Sequence, residues 1–186
     1  RGMAEPTGTR IGAMVAEVLR PAASRTGDAF INATRVNSAS GGATNAPVHL
    51  NALARQGGVE LSIDDWQTEG EHVPLLVNLQ PAGEYLGEDY YHAGGVPAVV
   101  NQLMGPCLIR EVAMTVHGKM MDENCCVAII EDENSIKRYE APLNERAGFR
   151  ALRGNLFSSA IMKTSVISPE FRERYLSNPK DPMAFE

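Results

Sequence analysis

Gly41-Gly42-Ala43-Thr44-Asn45-Ala46-Pro47-Val48-His49-Leu50 is a turn of small residues that runs straight into an apolar helical pattern. Two glycines let backbone approach a neighbour closely, because no Cβ stands in the way. Thr44 and Asn45 are natural helix N-caps, and Pro47 fits a first helical turn, where its missing N–H costs nothing. The same ten residues therefore read two ways. One is an ordinary glycine turn with a cap; the other is a helix N-terminus whose free N–H groups and positive dipole end receive an anionic group.

On the upstream side, Ile11, Met14, Val15, Val18 and Leu19 follow the spacing of an amphipathic helix over Thr9 to Leu19, ended by Arg20-Pro21. A short helix is predicted over Asp28 to Val36, directly before the turn. Downstream, a helix from about Ala46 to Arg55 is stopped by Gly57-Gly58. Ser62-Ile63-Asp64-Asp65 has capping-box spacing and starts a short helix carrying Trp66. Val73 to Leu79 is a compact apolar run with Pro74 near its start, a candidate buried or edge strand. Gln80 to Gly95 reads as a loop, and Val96-Pro97 opens a helix through Leu103 and Met104. Cys125 to Ile130 is a strand candidate, and Glu131 to Lys137 is turn-like. Strand-like pieces, among them Ala160-Ile161-Met162 and Val166-Ile167, follow after Phe149, and Ser168-Pro169-Glu170 caps a short helix to about Leu176. The expected fold class is α/β, with part of an α/β domain over 1–138 and the start of a β-rich domain over 139–186.

A net charge of −6 argues against a nucleic-acid surface, which needs clustered Lys and Arg, but leaves room for a locally positive pocket. No apolar run approaches the roughly 20 residues of a membrane span. The three cysteines, Cys107, Cys125 and Cys126, form neither a disulfide framework nor a CxxC motif, and read as small buried hydrophobes of a cytoplasmic protein. The chain starts at Arg1 and stops at Glu186 without a closing element, so both ends read as cuts through a longer protein.

Taken together, several pieces resemble the dihydroxy-acid, sugar-acid and phosphogluconate dehydratases. They are Gly41-Gly42-Ala43-Thr44-Asn45 with His49-Leu50, Pro81-Ala82-Gly83-Glu84-Tyr85, Ala93-Gly94-Gly95-Val96-Pro97-Ala98-Val99 and Thr115-Val116-His117-Gly118-Lys119. Leu152-Arg153-Gly154-Asn155-Leu156 and Met162-Lys163-Thr164-Ser165 complete the set. Asp65-Trp66-Gln67-Thr68, Tyr85-Leu86-Gly87-Glu88-Asp89-Tyr90 and Phe171-Arg172-Glu173-Arg174-Tyr175-Leu176 are most similar to the sugar-acid branch, the arabinonate and xylonate dehydratases. The resemblance covers nearly the whole chain but a middle portion of the family's length, and its fold is an α/β N-terminal domain followed by a β-barrel-like C-terminal domain.

The resemblance implies a hydro-lyase that removes water from a 2,3-dihydroxy acid to give a 2-keto acid; for a sugar acid the product is a 2-keto-3-deoxy acid. It implies a 2Fe–2S cluster as Lewis acid on the leaving 3-hydroxyl, magnesium on the carboxylate and 2-hydroxyl, a serine alkoxide for the C2 proton, and a homo-oligomer. The family's cluster cysteines and magnesium ligands lie in motifs upstream of Arg1, and its catalytic serine beyond Glu186. This chain is accordingly expected to hold no catalytic residue and no metal ligand, to bind no cofactor and to be inactive alone. The alternatives are a dihydroxy-acid dehydratase of branched-chain amino-acid biosynthesis and a non-catalytic binding module on the same scaffold. Ala43 stands where the family usually has Ser.

The candidates for a place near substrate or cluster are Gly41, Gly42, Thr44, Asn45, His49 and Lys163. Thr44 and Asn45 are weighed against plain capping, and His49 against a partly buried helical histidine. Lys163 reads either as a cation within reach of an anionic substrate or as a strand residue facing solvent, and Lys119 has the same two readings. His72, His92 and His117 are too scattered for a spacing-defined metal site, and Tyr90-Tyr91 reads as packing or interface.

Overall fold

The computed structural model describes residues 4–16, 24–156, 158–167, 169–171 and 173. Helix α1 spans Ala4–Ala16, α2 Gly27–Ala39, α3 Asn45–Gln56, α4 Ile63–Gly70, α5 Gly87–His92, α6 Gly95–Met104 and α7 Met121–Cys125. Strands β1 (Phe149–Leu152) and β2 (Ala160–Lys163) and the short helix α8 (Pro169–Phe171) follow. The strands pair antiparallel, with Phe149 opposite Lys163 and Leu152 opposite Ala160. Helices with a small antiparallel sheet are consistent with α/β. The helix expected over Thr9–Leu19 is found over Ala4–Ala16, and its last three residues lie outside the described ones, as do Ser168 and most of the stretch from Arg172 to Leu176.

Local chemistry explains most of the helix starts. Thr26 caps α2 by accepting from the Ala29 N–H at 3.3 Å. Ser62 and Asp65 complete the capping box of α4, with the Ser62 N–H donating to the Asp65 carboxylate at 2.7 Å. The N–H of Leu86 is held by Asp89 and that of Met120 by Glu123, both at 2.8 Å; acids three residues on thus start α5 and α7 without a capping hydroxyl. These two carboxylates correct the expectations of a loop over Gln80–Gly95 and of a strand beginning at Cys125. Val166-Ile167 is also not a strand; it sits in a turn closed by the Ile167 N–H on the Thr164 carbonyl.

The core is built around Val73–Leu79, which is buried from Val73 through Val77. Its apolar side chains meet those of α6 (Ala98, Val99, Val100, Leu103) together with Ala39, Ile109 and Ile136. The run is extended but forms isolated bridges, Leu75 with Asn144 and Val77 with Ile136, rather than an edge strand of a regular sheet. Its backbone groups go instead to irregular partners: the Leu76 N–H to the Ala39 carbonyl at 2.8 Å, the Lys137 N–H to the Leu76 carbonyl at 2.7 Å and the Asn78 N–H to the Ser135 carbonyl at 2.9 Å. Pro74 has no N–H to donate, and buried backbone must be paired somewhere. The polar stretch 131–137 supplies the last two of these pairs because Asp132 folds it: its carboxylate accepts from Ser135 and Asn134, which holds the acid below its ordinary range.

Two polar clamps tie the layers. Buried Arg35 on α2 donates to Glu69 of α4 at 2.5 Å and to the Leu108 carbonyl at 3.0 Å. Buried Asn32 pairs with the backbone of Arg110 through both ends of its amide, at 3.0 and 2.7 Å. The hairpin β1–β2 docks on α4. Trp66 is fully buried, donates its indole N–H to Asn51 at 2.8 Å and meets the Phe149 ring edge-on at 5.7 Å. Such a ring pair adds about 1 kcal/mol beyond burial. A Cβ on Gly148 would overlap the backbone of Gly70, so glycine is what lets β1 approach α4 this closely.

Candidate functional site

The glycine turn closes α2 and opens α3. The Gly41 N–H donates to the Ser38 carbonyl at 3.0 Å and the Gly42 N–H to the Asn37 carbonyl at 2.8 Å, the paired bonds of a Schellman cap. Gly41 takes the left-handed conformation this cap requires, with φ +60°. A Cβ on Gly42 would overlap the amide end of the Asn37 side chain, which would have to move aside. The first half of the turn is thus fixed by α2. The second half is not: Thr44 occupies the N-cap position of α3 but makes no side-chain capping bond, and Ala43, Thr44 and Asn45 are exposed. This corrects the expectation of a side-chain cap from Thr44. Its backbone already has a near-helical φ of −64° and ψ of −9°, whereas a capping hydroxyl is normally presented from extended backbone.

Lys163 does not face solvent. Its ammonium donates to the Gly41 carbonyl at 2.5 Å, across 122 residues of chain. Lys163 is the last residue of β2, and Ser165 lies in the turn that follows it. Lys163 and Ser165 address the glycine turn, while Thr164 between them donates to the Gly148 carbonyl at 2.5 Å. Burial pulls the Lys163 amine below the ordinary lysine value. The position also suits a cation, because the carbonyl it binds stands at the negative end of α2.

Beside this contact lies a cleft of about 210 Å³ lined by Gly41, Leu75, Asn78, Gly83, Asn144 and Ser165 among others. The Ser165 hydroxyl is buried and has no partner among the described residues. Gly83 belongs to the wall by necessity, since a Cβ there would overlap the Asn78 backbone. The structure therefore brings Gly41 and Lys163 together. It places Thr44 and Asn45 at the solvent end of the same turn, and it leaves His49, exposed on α3, outside the cleft. Asn78, Asn144 and Ser165 escaped the sequence reading as site residues. No local pattern marks Ser165, which lies in a turn beyond β2, or Asn144, which only tertiary folding brings beside Leu75.

An open groove of about 630 Å³ runs past the end of α3, lined by Asn51, Arg55, Ser62 and Asp65 among others. Asn51 is held by the Trp66 indole, and Ser62 and Asp65 by their capping box, so these three polar groups serve the fold. Among the described residues no group of three or more His, Cys, Asp or Glu is gathered to hold a metal ion. Cys125 is buried, whereas Cys107 and Cys126 are exposed, which corrects the expectation of three buried thiols. Burial and the neighbouring Cys126 push the Cys125 thiol up. Among the described residues, no ligand set for a 2Fe–2S cluster or for magnesium is gathered. Lys119 lies exposed in a tight turn whose Thr115 N–H donates to its carbonyl at 2.9 Å. Tyr90 is partly buried against the core with its phenol pushed up by burial, while Tyr91 is exposed. No helix of the described residues is long and apolar enough to cross a membrane.

Residues 1–124 match the dihydroxy-acid/6-phosphogluconate dehydratase N-terminal domain, and the chain belongs to that family. It is similar to D-xylonate dehydratase of Caulobacter vibrioides, 46% identical over 99% of this chain and 31% of that protein. L-Arabinonate dehydratase of Rhizobium leguminosarum bv. trifolii is 42% identical over 90% of the chain and 29% of its own length. Dihydroxy-acid dehydratase of Caldanaerobacter subterraneus subsp. tengcongensis is 35% identical over 90% of the chain and 30% of its own length. The chain thus spans less than a third of each of these relatives.

Proposed function

We propose that this chain is part of a cytoplasmic hydro-lyase that converts a sugar acid to its 2-keto-3-deoxy acid by iron–sulfur-assisted loss of the 3-hydroxyl. The observation that carries the proposal is the 46% identity to a D-xylonate dehydratase along 99% of the chain. In this reading the 2Fe–2S cluster and the magnesium ion belong to parts of the parent protein outside this chain, and no step is assigned to Cys107, Cys125 or Cys126. Residues 1–138 belong to the α/β domain and 139–186 begin the barrel-like one, with the hairpin as its first element. The chain contributes the exposed second half of the glycine turn, Thr44 and Asn45, and the polar cleft beside Gly41 and Lys163, as surfaces near the substrate. By itself it does not catalyse.

Homo-oligomeric assembly of the parent is part of the same proposal. Large apolar side chains that stand exposed here, Val112, Val127 and Ile129 among them, suit a surface covered in the whole protein. A branched dihydroxy acid is the second substrate class, favoured by the 35% identity to a dihydroxy-acid dehydratase. The test is turnover by the parent protein, purified anaerobically, on D-xylonate, L-arabinonate and a branched 2,3-dihydroxy acid. Keto-acid formation from a sugar acid, with none from the 186-residue chain, supports the proposal. Turnover confined to the branched acid replaces the substrate class, and no turnover with a loaded cluster removes the hydro-lyase assignment.

A further inference from the structure

We propose that Lys163 is a positioning residue: its side chain, hydrogen-bonded to the Gly41 carbonyl, pins the glycine turn to the hairpin and holds the start of α3 in place without touching substrate.

Three observations converge on this. The Lys163 Nζ to Gly41 carbonyl distance is 2.5 Å, so the donor is already engaged by backbone. Gly41 is the left-handed residue on which the Schellman cap turns, so a group fixed on its carbonyl fixes the direction in which Gly42, Ala43 and Thr44 leave α2. The next residue is also tied to backbone: Thr164 donates to the Gly148 carbonyl at 2.5 Å, where β1 lies closest to α4. The end of β2 is therefore anchored at Thr164, one residue beyond Lys163. Burial, which pulls the amine below its usual value, belongs to a lysine folded into the structure rather than one reaching into solvent.

Lys163 acts on the reaction through the turn, and its catalytic consequence rests on the dehydratase proposal above. The experiment is hydrogen exchange at Gly41 and Gly42 in the intact parent protein, unsubstituted and as Lys163→Met and Lys163→Arg, paired with sugar-acid kinetics. Lys163→Gln replaces the methionine variant if that fails to fold. Expected for Lys163→Met is exchange about tenfold faster at both glycines. A kcat at least about tenfold lower is expected with KM within about threefold, since a misplaced group costs rate more than binding. Lys163→Arg, which keeps the donor, is expected to restore most of both. Unchanged exchange overturns the pin. A raised KM with unchanged exchange makes Lys163 a substrate contact instead, and faster exchange with unchanged kcat reduces it to a structural tie. Absence of turnover in the unsubstituted protein is a failure of the dehydratase assignment, and the exchange data still decide the pin.

Discussion

The two halves of one turn behave oppositely. Gly41 and Gly42 are closed in by the Schellman bonds, by Asn37, by Leu75 and by Lys163. Ala43, Thr44 and Asn45, the next three residues, are exposed and carry no side-chain cap. The difference separates what the segment does for the fold from what it leaves available to a ligand. The glycines are there because the chain must turn at φ +60° and pass against Asn37; nothing in the fold demands a Thr or an Asn after them. If the family's chemistry uses this turn, the second half is where side-chain identity is set by something other than packing.

The comparison breaks first at Gly42. A methyl there overlaps the amide end of the half-buried Asn37 side chain and displaces it, and Gly42→Ala is expected to cost about 2 kcal/mol in chemical denaturation. A loss under about 0.5 kcal/mol shows the first half to be less closed than its geometry. Gly41→Ala follows at about 1.5 kcal/mol, from the left-handed backbone together with the Leu75 methyl at 3.1 Å from the new Cβ. Its readout is the same denaturation midpoint.

Lys163→Met comes next, at about 1 kcal/mol, because the side chain is only partly buried and solvent screens part of its bond. Its pH dependence carries a definite sign. Burial lowers the folded-state pKa below the unfolded value of 10.5, so the unfolded chain holds the proton more tightly. Protonation then opposes folding below the lowered pKa, and stability from this residue rises as pH climbs from there to 10.5. The advantage of the unsubstituted protein over Lys163→Met is therefore expected to widen through that alkaline window. A gap that narrows there contradicts the burial of the amine.

How much of this was legible follows the same division. The helices flanking the turn were readable because their signals are local: Gly57 after α3, the Ser62–Asp65 box before α4, Pro97 in the first turn of α6. Helices α5 and α7 were missed because their N-caps are Leu86 and Met120, which announce nothing; the carboxylates that do the work sit three residues inside. Val73–Leu79 was recognised as buried and extended, but not that its partners would be irregular, since those come from Ala39 and from 135–147. The site divides likewise. The glycine turn was visible as a string of small residues. Its tie to Lys163 spans 122 residues and needed the hairpin register to become visible. The coarse α/β class was readable, while the barrel-like domain remains a proposal that a single two-stranded hairpin supports.

The smallest stability effect is expected at Thr44, and it is the one that sharpens the comparison most. Where a threonine caps a helix, removing its hydroxyl costs about 1 kcal/mol. Here the hydroxyl makes no such bond, and Thr44→Ala is expected to fall within about 0.5 kcal/mol of the unsubstituted protein. Stability and function then separate cleanly. If denaturation of Thr44→Ala is unchanged while sugar-acid turnover by the parent falls tenfold or more, the hydroxyl has no structural duty to confuse the result, and the loss reports contact with a ligand or with the part of the protein that binds it. If turnover is also unchanged, Thr44 is excluded as a contact and the search moves to the backbone N–H groups of the same turn, which no substitution of Thr44 removes. If instead stability falls by a full capping energy, the hydroxyl caps α3 in solution, and the contrast between the two halves of the turn disappears.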